Sequence, residues 1–261
     1  MGAFLMDLAT LIGLVLGFVC LLGAFILEGG KAGALMSYTA AMIVLGGTVG
    51  ATVISSTVTD LKKVPVLFAI AFKDQTYDSA ALIQNIVNFA TQARREGVLS
   101  LENNLEQLND SFLRMGLQMI IDGIETSVLR DLMENEVYYM EQRHERGISI
   151  FEIAGGYAPT MGIVGTVMGL VHVLGNMSTP DALAPAIAVA FIATLYGIST
   201  ANILWLPIAA KLKVRNNEEI LYCSLTVEGL LAIQEKENPN FIREKLILFL
   251  NSHIKQQLKG E

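Results

Sequence analysis

Charge is scarce in this chain. Only 16% of its 261 residues are Asp, Glu, Lys or Arg against 52% hydrophobic, and the mean hydropathy is +0.50. Soluble domains carry about 25% charged residues, so a water-soluble globule is excluded in favour of a membrane protein. Cysteine is scarcer still, with Cys20 in an apolar run and Cys223 in the tail. Neither can pair with the other or has a Cys or His neighbour at metal-ligand spacing, so no disulfide framework or metal site is expected. Nor is there an excess of positive charge. The net charge of -7 arises in the polar portion and excludes nucleic acid as a partner. The start, MGAFLMD, lacks the Lys or Arg of a signal n-region and no small-residue cleavage site follows. The first apolar run is therefore expected to stay in the membrane.

Long apolar runs are abundant. Residues 8–27, 35–54, 150–174 and 183–209 each reach the roughly 20 residues that a helix needs to cross a bilayer. Of the 18 Lys and Arg, only Lys31 lies between the first two runs, while nine lie between the second and third and eight after the fourth. The positive-inside rule puts both termini and the central loop in the cytoplasm, leaving short outward turns at EGGKAG and GNMSTPDA. Four divisions follow: a membrane hairpin at 1–57, a cytoplasmic loop at 58–149, a second hairpin at 150–209 and a cytoplasmic tail at 210–261.

The loop has helical periodicity. Leu82, Ile86, Phe89 and Ala93 share one face of a helix predicted over 77–96, with Asp78 as N-cap and Gly97 as C-terminal stop. Further helices are predicted from Ser100, over 112–122, and from 126 past Gly147 towards the third run. In the tail, helices are predicted over 217–236 and 241–258, broken at ENPN. Almost nothing reads as strand. The expected fold is all-α, with four transmembrane helices and a helical cytoplasmic domain.

In lipid, small residues drive helix association by letting backbones approach. Gly13 and Gly17, Gly46 and Gly50, and Gly165 and Gly169 form GxxxG pairs, and Ala190, Thr194, Gly197 and Ala201 form a stripe down the fourth run. That much small surface implies an oligomer. The third run contains APTMGIVGTVMGL, in which Pro159, Gly162, Thr166 and Gly169 fall on one face. Pro159 withholds the N–H that would bond the Gly155 carbonyl, so a kink and an open acceptor are expected at membrane depth. On the fourth run, Thr194 lies near Tyr196, Ser199, Thr200 and Asn202, and Pro207 stands at the end. Thr166 and Thr194 either bond back to carbonyls of their own helices or line a path. No Asp, Glu, Lys or Arg falls in the middle of any run. Asp7 and Glu152 stand near the cytoplasmic ends and His172 towards the outer end. An ion pathway normally contains a carboxylate, so if this chain conducts ions another chain supplies it.

The segments MDLATLIGL, QARREGVLSLE, APTMGIVGTVMGL, AVAFIATLYGISTANILWLPIAAKL and LLAIQEKENP, in this order, resemble the A subunit of the bacterial flagellar stator, the MotA/PomA family, grouped with ExbB and TolQ. The resemblance covers the whole chain. It implies a ring of five A subunits in the bacterial inner membrane around two helices of a MotB/PomB-type B subunit, which brings the intramembrane aspartate and a peptidoglycan-binding domain. Cation flow turns the ring, whose loop pushes the rotor protein FliG. By the same resemblance, Arg94 and Glu102, with Arg95 and Glu96 beside them, match the rotor contact. Pro159 and Pro207 match the prolines needed for torque. Thr166 and Thr194, with Tyr196 nearby, match the ion path of sodium-type stators. Thr166 tilts the reading from H⁺ towards Na⁺, whereas Ala193 departs from the further threonine of some sodium-type members. Helix-dipole preference alone also accounts for Arg94 and Arg95 in a last turn and Glu102 in a first.

Other readings fit less well. ExbB/TolQ-type energisers have three spans and lack RREGVLSLE. An autonomous transporter would need its own intramembrane carboxylate or broken helices. An intramembrane protease would need a nucleophile and base at one depth, and Ser199 and His172 fall on different halves of the membrane. No enzymatic activity and no cofactor beyond the transported cation are expected.

Overall fold

The computed structural model describes residues 7–73, 77–175, 180–250 and 255. The architecture is all-helical, with four helices long and apolar enough to cross a membrane. Helix α1 (Leu8–Leu27) occupies the predicted first run, with Asp7 as N-cap accepting from the Ala9 and Thr10 N–H groups. After a 3₁₀ turn at Ala32–Leu35, the second span is built from α2 (Tyr38–Ala41), a π-helical segment at Met42–Gly46 and α3 (Gly47–Ile54). Then come α4 (Val58–Leu61), α5 (Val64–Phe72), α6 (Ser79–Glu96), a 3₁₀ turn at Val98–Leu101, α7 (Glu102–Leu105) and α8 (Ser111–Ile121). The remainder is α9 (Thr126–Gly175), α10 (Pro180–Thr200), a π-helical segment at Ala201–Trp205, α11 (Leu206–Gln234) and α12 (Pro239–Ile247).

Contacts divide the chain into two units, residues 1–74 with 144–214, and residues 75–143 with 215–261. The first holds the spans. None of the residues of α1 is buried, because its whole surface is apolar and suited to lipid. Helix α5 belongs to this unit, although sequence periodicity does not reveal it: VPVLFAIAF is apolar on every side and has no amphipathic repeat. Its Leu67 and Phe68 pack with Phe151, Ile208 and Trp205. Phe68 meets Phe151 edge-on with ring centroids 5.0 Å apart.

The second unit has a hydrophobic core of its own. Leu82, Ile83, Ile86, Ala90 and Ala93 of α6 are buried against Leu113, Leu117 and Ile120 of α8 and Leu225, Leu230 and Leu231 of α11. The predicted caps of α6 are present: Asp78 accepts from the Ala81 N–H at 2.9 Å, and Gly97 takes φ of +85°, which favours glycine. Glu228 accepts from both Arg130 (3.3 Å) and Lys245 (3.2 Å), tying three helices at the surface of this core.

The helix predicted from 126 past Gly147 runs on into the third span as one 50-residue helix, α9. One interior glycine costs only about 1 kcal/mol, and Gly147 lies against Leu67, where a Cβ would stand 2.9 Å from Cδ1. Two other boundaries differ from expectation. Likewise the tail helix starts at Leu206, separated from the fourth span only by the π-helical segment. The helix expected from Ser100 shrinks to α7 and a 3₁₀ turn, since Asn103 and Asn104 are poor helix formers. The turn at 176–179, and the end of the last predicted helix beyond 250 apart from Lys255, lie outside the described residues.

Leu117 is fully buried at the centre of the second unit. Leu117→Ala is expected to destabilise that unit by about 2–5 kcal/mol, read as a lower denaturant midpoint of the detergent-solubilised chain.

Candidate functional site

Helices α9 and α10 cross backbone to backbone. A Cβ added to Gly197 would lie 2.5 Å from the Ala158 carbonyl oxygen and 3.2 Å from the Cα of Pro159. One added to Gly162 would lie 3.0 Å from the Ala193 oxygen and 3.1 Å from the Cα of Thr194. Further along, Gly165 faces Ala193 and Gly169 faces Ala190. The Gly165/Gly169 pair is thus consumed inside the chain. By contrast, Gly13, Gly46 and Gly50 would meet nothing within 4 Å.

This crossing brings the two predicted threonines together. The hydroxyls of Thr166 and Thr194 are in hydrogen-bond contact, and Thr166 Oγ1 also lies 3.1 Å from the Gly162 carbonyl and 3.0 Å from that of Ala190. Thr166 bonds back to its own helix, as one of the two sequence readings expects, and also reaches across to α10. Two hydroxyl and two carbonyl oxygens meet here, without charge. Such oxygens suit a hard cation, but none titrates near neutral pH.

The other predicted residues occupy different places. Tyr196 donates to the Leu35 carbonyl at 2.5 Å and accepts from the Ser37 N–H at 3.3 Å, fastening α10 to the start of the second span. Pro159 lies inside α9, which continues through it as one helix, beside Gly197. Pro207 follows the π-helical segment, where the Leu206 N–H bonds the Ala201 carbonyl five residues back. The next backbone nitrogen belongs to Pro207 and has no hydrogen, so the Asn202 carbonyl is left without a helical donor. Asn202 and Pro207 line a cavity of about 610 Å³ with Thr10, Gly13, Ile203 and Lys211. The π-helical turn is invisible to sequence reasoning, although Pro207 signals that some carbonyl upstream must lose its partner.

Two ion pairs, at the spans' predicted cytoplasmic ends, join residues that the sequence places far apart. Lys211 pairs with Asp7, whose carboxyl is held below its ordinary range chiefly by that hydrogen bond. Lys213 pairs with Glu152 at 2.5 Å, which holds its ammonium above the ordinary lysine value. His172 lines a separate cavity of about 620 Å³ with Thr39, Gly165, Gly169 and Pro185. In the second unit, Arg94, Arg95 and Glu96 stand exposed in the last turn of α6, and Glu102 is exposed at the start of α7. Gly97 turns the chain between them, and Gln92 braces the turn by donating to the Ser100 carbonyl (3.0 Å) and accepting from Asn104 (2.7 Å). None of these four charges enters an ion pair among the described residues.

A methyl at Gly197 would press on a backbone carbonyl that cannot swing aside. Gly197→Ala is expected to separate α9 from α10 and break the threonine contact, whereas Gly13→Ala leaves the isolated chain's fold unchanged. Cysteine cross-linking between positions 166 and 194, efficient with Gly197 and lost with the alanine, checks this.

Comparison with known proteins supports one assignment. Residues 104–224 match the MotA/TolQ/ExbB proton channel family, and residues 11–97 match the Motility protein A N-terminal family. The chain is 42% identical to Motility protein A of Bacillus subtilis (strain 168), covering 94% of this chain and 91% of that protein. It is 37% identical to Chemotaxis protein PomA of Vibrio alginolyticus, covering 94% and 96%. Its fold superposes with a TM-score of 0.89 on a chain of the flagellar MotAB stator complex from Bacillus subtilis, at 40% identity and covering 95% and 98%. The chain therefore belongs to the MotA/PomA family of flagellar motor stator A subunits, within the MotA/TolQ/ExbB channel family.

Proposed function

We propose that this stator subunit passes Na⁺ along the oxygens of Thr166 and Thr194 and borrows its ion-binding carboxylate from a MotB/PomB-type partner. The observation that carries this reading is the uncharged oxygen cluster at the α9–α10 crossing. It can replace part of a cation's hydration shell, but it cannot bind or release a proton by itself. The solved Bacillus subtilis relative is a chain of a MotAB stator complex, which supports a B-subunit partner here. The glycines of the first two spans that meet nothing within the chain leave room for neighbouring helices, in keeping with a pentameric ring around two B-subunit helices.

The same proposal places both termini and the second unit in the bacterial cytoplasm, where Arg94, Arg95, Glu96 and Glu102 meet charges on FliG. Residues 58–73, predicted as part of the cytoplasmic loop, pack in the first unit through α5. Passing cations turn the ring past the B-subunit aspartate, Pro159 and Pro207 supply the flexible points, and the exposed charges push the rotor.

With a B subunit restored to a strain lacking its own stators, swimming speed at fixed pH is expected to rise with external Na⁺. Thr166→Val, which keeps the shape and removes the hydroxyl, should abolish that dependence; a speed indifferent to Na⁺ in the parent assigns the path to H⁺. Arg94→Glu should leave stability within about 0.5 kcal/mol and assembly intact while stopping rotation, and a compensating charge reversal on FliG should restart it.

A further inference from the structure

The first unit contains a small cavity that neither the ion path nor the rotor contact uses. Its volume is about 110 Å³, and its lining includes Thr48 and Thr52 of α3, Val64 of α5, Phe151 and Ala154 of α9, and Trp205 of the π-helical segment. That is well below the roughly 300–1,000 Å³ of small-molecule sites. At about 30 Å³ for each water molecule, it has room for about three.

Two of its polar groups lack partners. Thr48 is 0% exposed, yet among the described residues neither its hydroxyl oxygen nor the buried indole nitrogen of Trp205 has a hydrogen-bond partner. A threonine in an apolar helix ordinarily settles this locally, by donating to a carbonyl of the preceding turn. Thr52 does so, to the Thr48 carbonyl at 2.8 Å, and its oxygen keeps the capacity to accept. Thr48 does not. The Trp205 ring is packed by Phe68 and Phe151, with centroids 6.3 and 6.5 Å away, and neither carries an oxygen to receive the indole N–H.

These groups select the ligand. The lining contains no Asp, Glu, His, Lys or Arg, so neither a cation nor an anion finds a counter-charge there. Val49 and Val53 also line the cavity and are about half exposed, at 52% and 48%. An acyl chain entering past them would leave both polar groups unpaired, at the full desolvation cost of each. Water answers both, since it accepts from the indole and either donates to or accepts from a hydroxyl.

We propose that this cavity is a buried water site, in which about three waters accept from the Trp205 indole N–H and bond the Thr48 and Thr52 hydroxyls. The waters join the second span to the residue that ends the π-helical segment. A water bridge, unlike a direct bond, tolerates a change in separation, so the π-helical segment can shift against the second span without stranding either group. The inference is independent of which cation the path carries.

Trp205 is the only tryptophan of the chain, so the fluorescence of the full chain purified in detergent reads this cavity directly. The parent is expected to show the red-shifted emission of a hydrogen-bonded indole, a higher yield in D₂O than in H₂O, and weak quenching by acrylamide. Thr48→Val keeps the shape and removes the hydroxyl, and Ala154→Val fills part of the space. Each should shift the emission to the blue and lose the isotope effect. Thr48→Ser should retain both parent properties, and Thr39→Val, which removes a hydroxyl of the same span outside the cavity, should change nothing. Circular dichroism establishes that each variant is folded. Blue emission without an isotope effect in the parent identifies a dry cavity or one holding an acyl chain, and strong acrylamide quenching identifies an indole open to bulk water; either result overturns the proposal. So does an unchanged spectrum in folded Thr48→Val, or in folded Ala154→Val where Thr48→Val does not fold.

Discussion

The membrane part of this protein depends on how closely two backbones approach where α9 crosses α10. Hydrocarbon offers no hydrophobic gain for pressing one helix on another, so contact comes from dispersion between atoms that fit closely. Glycine at 162 and 197 removes the Cβ from both sides of the crossing, and alanine at 190 and 193 keeps the next turns narrow. Everything polar in this region follows from that approach. Thr166 reaches the Ala190 carbonyl and the Thr194 hydroxyl only because the helices stand this close.

Proline has a related effect at two depths. In water a missing backbone N–H is replaced by solvent, whereas in lipid the orphaned carbonyl must find protein, water or an ion. Pro159 leaves the Gly155 carbonyl in this position. Pro207, through the π-helical turn before it, leaves that of Asn202, a residue that also lines the cavity beside Lys211. Both open acceptors therefore arise from a proline four or five residues further along an apolar run. On the proposed function, the absence of Asp and Glu from the middle of the spans complements them, since walls of this kind would present oxygens to a cation without trapping it in a strong charge pair.

The second unit obeys different physics. Its core is made of Leu and Ile from α6, α8 and α11, removed from water at about 25 cal/mol per Å². Its surface charges fall into two groups. Glu228, Arg130 and Lys245 lace the helices together, while Arg94, Arg95, Glu96 and Glu102 stand outside any ion pair among the described residues around the Gly97 turn. On the proposed function, the second group meets the rotor.

The sequence by itself determined the four spans, the all-helical class, the caps of α6 and the absence of Asp, Glu, Lys and Arg from the middle of any span. These follow from properties that need no neighbour: run length, the 3.6-residue period, a short polar side chain ahead of a helix, and glycine's access to positive φ. Thr166, Thr194, Pro159 and Pro207 could be singled out for the same reason, as polar or helix-breaking residues in an apolar setting. Only the tertiary structure decided which of them meet. It joined Thr166 to Thr194, turned Tyr196 to the second span, paired Asp7 with Lys211 and assigned α5 to the first unit. Each of these depends on distances between segments remote in sequence. Such distances are set by shape complementarity across helix faces, and no local pattern of residues encodes them.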